Sequence, residues 1–170
     1  MNAANKRRFL STLVGALLCV GSLSADAQPT PVDAPDFTVP FDAGVACNFP
    51  LTIEGSGARL YSREFTDKHG LLNTEVMGMG FAFRFTNIAN GKSASQKSQD
   101  AHQHTIQYPD GSQKITTDGA VLIVMFPTDI PAGPSTVYYN GHTVLNLTAE
   151  GVGTLEPPHA HARDICAELS

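Results

Sequence analysis

From about residue 44 onward, apolar and polar positions alternate. Phe49, Leu51 and Ile53 are separated by Pro50 and Thr52, and Phe81, Phe83 and Phe85 by Ala82 and Arg84. A period of two places such residues on one face of a β-strand. The three phenylalanines therefore predict a strand with one side in the core. His102, His104, Ile106 and Tyr108 share a face of the next strand. Residues 120–126 are continuously apolar, which predicts a central strand covered on both faces. Val137-Tyr138-Tyr139 and residues 142–145 flank Asn140-Gly141, a dipeptide that favours a two-residue hairpin turn. Residues 151–155 supply a last strand.

Turn residues separate these runs: Gly55-Ser56-Gly57, residues 87–91, Pro109-Asp110-Gly111, and a loop at 127–134 with three prolines. No helical apolar period is sustained after residue 27. The expectation is an all-β fold, an antiparallel β-sandwich of about seven to nine strands over residues 44–170. Cys47 is expected on its first strand and Cys166 after its last. Residues 28–43 carry Pro29, Pro31, Pro35 and Pro40, and read as a Pro-rich linker or extended arm.

Residues 1–27 have a different pattern. Lys6, Arg7 and Arg8 precede an uncharged apolar run from Phe9 to Leu23, and Ala25-Asp26-Ala27 follows. That order is a secretory signal, with cleavage expected after Ala27. The run is short for a membrane span, which takes about 20 residues. Arg7-Arg8 before Phe9-Leu10 also fits a twin-arginine signal, but such a pair is common in any n-region. Cys19 follows Leu18 inside the run, where lipoprotein processing wants a small residue, so it is expected to leave with the signal. The mature chain is expected to be secreted or held in the cell envelope, with no transmembrane segment.

Net charge is −5, and losing residues 1–27 removes three basic residues and Asp26, giving −7. Such a surface repels nucleic acid, which excludes it as an expected partner. Two cysteines remain, Cys47 and Cys166. An oxidising compartment pairs them, and the closed loop of about 120 residues contributes roughly 4–5 kcal/mol in the chain-entropy account. They stand at opposite ends with no CxxC context, which speaks against a reactive or metal-binding thiol pair.

The chain opens its domain on Cys47-Asn48-Phe49-Pro50 and closes it on Asp164-Ile165-Cys166-Ala167-Glu168-Leu169. Phe85-Thr86-Asn87, Asn90-Gly91-Lys92-Ser93 and Tyr108-Pro109-Asp110-Gly111 lie between. This frame resembles a group of small secreted β-domain proteins of high-GC Gram-positive bacteria, over roughly residues 47–170. The resemblance implies the β-fold and the Cys47–Cys166 bond, and carries no chemistry.

Gly-x-Ser-x-Gly, His-Glu-x-x-His and phosphate-cradling glycine motifs are absent, and no two carboxylates form a defensible acid–base pair. No catalytic residue is assigned. His102-x-His104 on a strand and His159-x-His161 near the C-terminus suggest imidazole ligands for zinc or copper, with soft sulfur from Met77-x-Met79. The alternative is solvated strand-end histidines and methionines that fill the core. Tyr138, Tyr139 and His142 at the expected hairpin tip suggest a surface for a protein, a glycan or a small-molecule ligand. Adjacent tyrosines face opposite sides of a strand, so one of them is expected to pack. The expected role is a non-catalytic binding protein, with an exported Cu or Zn binder as the alternative.

Overall fold

The computed structural model describes residues 28–170. The leader expected over residues 1–27 lies outside them. Alternating sequence does form strands, and two sheets pack face to face as an antiparallel β-sandwich. The strands are β1 (Thr30–Val32), β2 (Phe37–Phe41), β3 (Leu51–Ser56), β4 (Arg59–Thr66), β5 (Leu72–Met79), β6 (Ala82–Asn87), β7 (Ser93–Gln96), β8 (Asp100–Gln107), β9 (Gln113–Met125), β10 (Ser135–Leu147), β11 (Gly153–Leu155) and β12 (His159–Asp164). A single helical turn, α1 (Ile165–Leu169), ends the chain. The larger sheet runs β1-β4-β5-β8-β9-β10, and β11 and β12 share the far side of β10. The smaller sheet runs β2-β3-β6-β7. Among the described residues no helix is long and apolar enough to cross a membrane.

Among the described residues twelve strands form where about seven to nine were expected. Part of the excess comes from residues 28–43, which are no linker. β1 pairs with β4 and β2 with β3. Pro31 and Pro40 sit on edge strands, where a missing N–H costs no ladder bond on the open side.

The main core lies between the sheets. Leu51, Ile53 and Phe85 of the smaller sheet meet Leu122 and Val124 of β9, with Ile165 and Leu169 of α1 closing one end. Phe83 stacks on Phe85 at 5.8 Å, and Phe81 lies just before β6. A second cluster of Ile123, Met125 and Tyr139 lies on the other face of β9. Residues 121–125 thus pack on both faces, as expected, whereas Phe126 lies beyond β9 and is exposed.

Asn140-Gly141 is not a hairpin turn, because β10 runs straight through it. Gly78, Ala101, Gly119, Gly141 and Ala160 form one row across β5, β8, β9, β10 and β12. A Cβ at Gly119 would lie 2.6 Å from the Asp100 carbonyl oxygen, and one at Gly141 would lie 2.7 Å from the Ala160 Cα. The backbones approach too closely there for side chains. The larger sheet bends between Tyr139 and Leu145 of β10, a span that contains Gly141. Leu145 packs on the Ile123–Met125–Tyr139 cluster. In a flat strand, Tyr139 and Leu145 would stand about 20 Å apart.

Cys47 lies in the turn region before β3 rather than on a strand, and Cys166 lies in α1. The two are bonded, with Cα atoms 5.5 Å apart. Neighbouring contacts use the closing motif. The Asp164 side chain caps α1 by accepting from the Ala167 N–H at 3.0 Å. Asn87 and Asn90 both donate to the Leu169 carbonyl at 3.0 Å, and the Lys92 ammonium reaches the Ser170 carbonyl.

Candidate functional site

β9 pairs with β10 along its whole length, but with β8 only up to Gly119. β8 begins at Asp100, because the chain before it comes across from β7 in the other sheet. Residues 120–125 of β9 therefore have an open edge. In an antiparallel ladder, alternate residues turn both N–H and C=O away from one neighbour. No described group pairs with those of residues 120–125 on the β8 side.

A cleft follows this edge. Its first part, a hollow of about 220 Å³, opens toward the smaller sheet between Phe81, Phe83, Leu122 and Tyr138. Its second part, about 190 Å³, lies inside the fold of the larger sheet against Ile115, Val124 and Leu145. Gln103, Thr117, Val121 and Leu122 line both, so the two adjoin.

The polar groups in this apolar setting are few. Thr117 is 3% and Thr143 is 2% exposed, and both line the second hollow. Gln103 Nε2 donates to Thr105 Oγ1 at 3.3 Å. Gln99 Oε1 accepts from the Tyr138 hydroxyl at 3.1 Å and from Asn140 Nδ2 at 3.3 Å. An apolar hollow with a few convergent polar groups is the usual form of a binding site.

The tyrosines expected at an exposed hairpin tip are instead packed. Tyr138 is edge-on to Phe83 at 6.3 Å, and Tyr139 belongs to the second cluster. Burial pushes both phenol pKa values up. His142 remains exposed, with Nδ1 2.7 Å from Asp118 Oδ1.

His102 and His142 share an exposed row with Met77, Asp118 and His159, from β5 to β12. His104 Nε2 lies 2.8 Å from Asn73 Oδ1. Met79 is opposite Asp100, and His161 is opposite Asn140. β9 and β10 stand between the two His-x-His pairs. The pairs therefore do not meet around one point. Among the described residues, no three His, Cys, Asp or Glu side chains are grouped to hold a metal ion.

On the same sheet face, Arg63 Nε donates to Glu75 Oε2 at 2.7 Å and holds that carboxyl below the usual glutamate range. Arg163 does the same to Glu168 near α1. A carboxyl with a depressed folded pKa stabilises the fold above its unfolded value, and that contribution disappears as pH falls through the folded value. The thermal midpoint is therefore expected to stay level down to about pH 5.5 and to fall below the ordinary glutamate value of about 4.3. Glu75→Gln should flatten part of that fall. Unchanged acid sensitivity in this variant, followed by thermal circular dichroism, would remove Glu75 from the account.

Sequence patterning missed the cleft. A usable signal did exist: Gly119 and Gly141 both interrupt β-rich runs, and β9 has 13 residues against 8 in β8. What the sequence does not show is that those two lengths are neighbours.

No family model, no curated protein and no solved structure matches this chain. Fold and cleft alone define the class: a disulfide-closed β-sandwich with an open-edged cleft in its larger sheet.

Proposed function

We propose that this chain is an exported, non-catalytic binding protein that takes its ligand or partner in the cleft along β9. The observation that carries the proposal is the open edge of β9 at residues 120–125 beside two uncharged, largely apolar hollows. An apolar hollow with a few polar groups, here Gln103, Thr117 and Thr143, is the usual form of a ligand site. The leader-like order of residues 1–27 and the Cys47–Cys166 bond support a place outside the cytoplasm, in the medium or the envelope.

The test is titration of residues 28–170 with the apolar fluorophore 1-anilinonaphthalene-8-sulfonate. Saturable binding is expected at one site. Gln103→Trp, which fills the shared part of the cleft, should weaken it by roughly tenfold or more, since most of the apolar contact is lost. Lys68→Trp, in an exposed turn, should leave it unchanged. No saturable binding, or equal binding by the Gln103→Trp variant, would overturn the proposal.

A further inference from the structure

We infer that the cleft binds an extended segment of a partner polypeptide, added as a new strand beside residues 120–125 of β9. The inference rests on the cleft being the binding site and names what it takes. An edge with unpaired N–H and C=O groups at every second residue repeats at about 6.8 Å, twice the rise of a strand. A compact apolar molecule fills the hollows but satisfies none of these groups. Another extended backbone satisfies them in register, which is how peptides add to open sheet edges.

The placement of the hollows agrees. One opens toward the smaller sheet at Phe83 and Tyr138, and the other lies inside the fold at Ile115 and Leu145. Successive side chains of an added strand point to opposite faces, so alternate residues enter opposite hollows. The lining of both hollows carries no charged residue. The segment is therefore apolar where it enters them. The net charge of −7 that remains without residues 1–27 disfavours acidic residues at its ends.

A second copy carries the same net charge of −7 without residues 1–27, which disfavours pairing two copies along this edge. Strand addition would also remove an exposed apolar edge, which is otherwise an aggregation hazard.

The experiment uses residues 28–170 with the disulfide formed and a panel of fluorescent peptides. Each peptide alternates Thr with Val, Leu, Phe or Tyr between terminal lysines. Two further versions carry N-methyl groups on one or the other set of alternate residues. Binding by at least one peptide is expected, with slower hydrogen exchange at the amides of residues 120–125. One N-methyl set should weaken binding by roughly tenfold or more, because two or more backbone bonds are lost, while the other leaves it unchanged. Gln103→Trp should abolish binding.

If no peptide binds but the fluorophore does, strand addition is wrong and the cleft serves a small apolar molecule. Equal effects of the two N-methyl sets would also overturn it. Protection of residues 120–125 by concentration-dependent dimerisation, measured by sedimentation without peptide, would assign the edge to a second copy instead. If neither fluorophore nor peptide binds, the binding role proposed for the cleft falls as well.

Discussion

Replacing Cys47 and Cys166 together by alanine is expected to lower the stability of residues 28–170 by about 4 kcal/mol, and the thermal midpoint by about 10–15 °C. The bond joins positions separated by 119 residues, so it constrains nearly the whole unfolded chain. It also holds the first and last parts of the core together. Cys47 is fully buried beside Leu51 and Ile165, and α1 reaches the smaller sheet through Asn87 and Asn90. The terminal turn is too short to hold itself, since isolated helices of such length are unstable in water. Loss of the bond should therefore release α1 first, and hydrogen exchange at Ala167 should rise before that of β9. Reduction of the unaltered protein should reproduce the shift. A midpoint change under about 3 °C, well below what a long closed loop predicts, would mean that the bond adds little to the packing.

Gly141→Ala should cost about 3 kcal/mol or more, against about 1 kcal/mol for Gly57→Ala. Both glycines have positive φ, 144° and 71°. Their surroundings differ. Nothing lies within 4 Å of a Cβ at Gly57, whereas a Cβ at Gly141 meets the Ala160 Cα and the His159 carbonyl oxygen at 2.7 Å. Those are backbone atoms of a paired strand, and they cannot swing aside. Gly119→Ala meets the Asp100 carbonyl oxygen in the same way. Urea midpoints of the three variants provide the check. If Gly141→Ala costs no more than Gly57→Ala, the close row is not what folds the sheet. The fold of the sheet also shapes the inner hollow, so Gly119→Ala should reduce fluorophore binding even where the protein remains folded.

Individual strands were legible because period-two alternation acts locally. Phe81, Phe83 and Phe85, the run at 120–126 and the turns at 87–91 and 109–111 all reflect the fit of a pleated ribbon to one apolar side. The pairing of Cys47 with Cys166 was legible because only two cysteines follow residue 27. The packing of Tyr138 and Tyr139 is not legible from local pattern. Asn-Gly suits a hairpin, yet a glycine is equally required where two backbones cross closely within a sheet. The pairing of residues 28–43 is hidden for a similar reason, since prolines that exclude a central strand are tolerated at an edge.

By itself, the sequence determined the fold class, most strand positions and the disulfide, since each follows from residue type at short range or from simple count. Only the tertiary structure decided which strands are neighbours. That decision ended the pairing of β8 with β9 at Gly119 while β9 continued, brought the backbones close at Gly119 and Gly141, and set Thr117 and Thr143 in the inner hollow. The cleft is made of contacts between residues far apart in the chain. No local pattern encodes a gap between strands, because the gap exists only once the strands have been placed side by side.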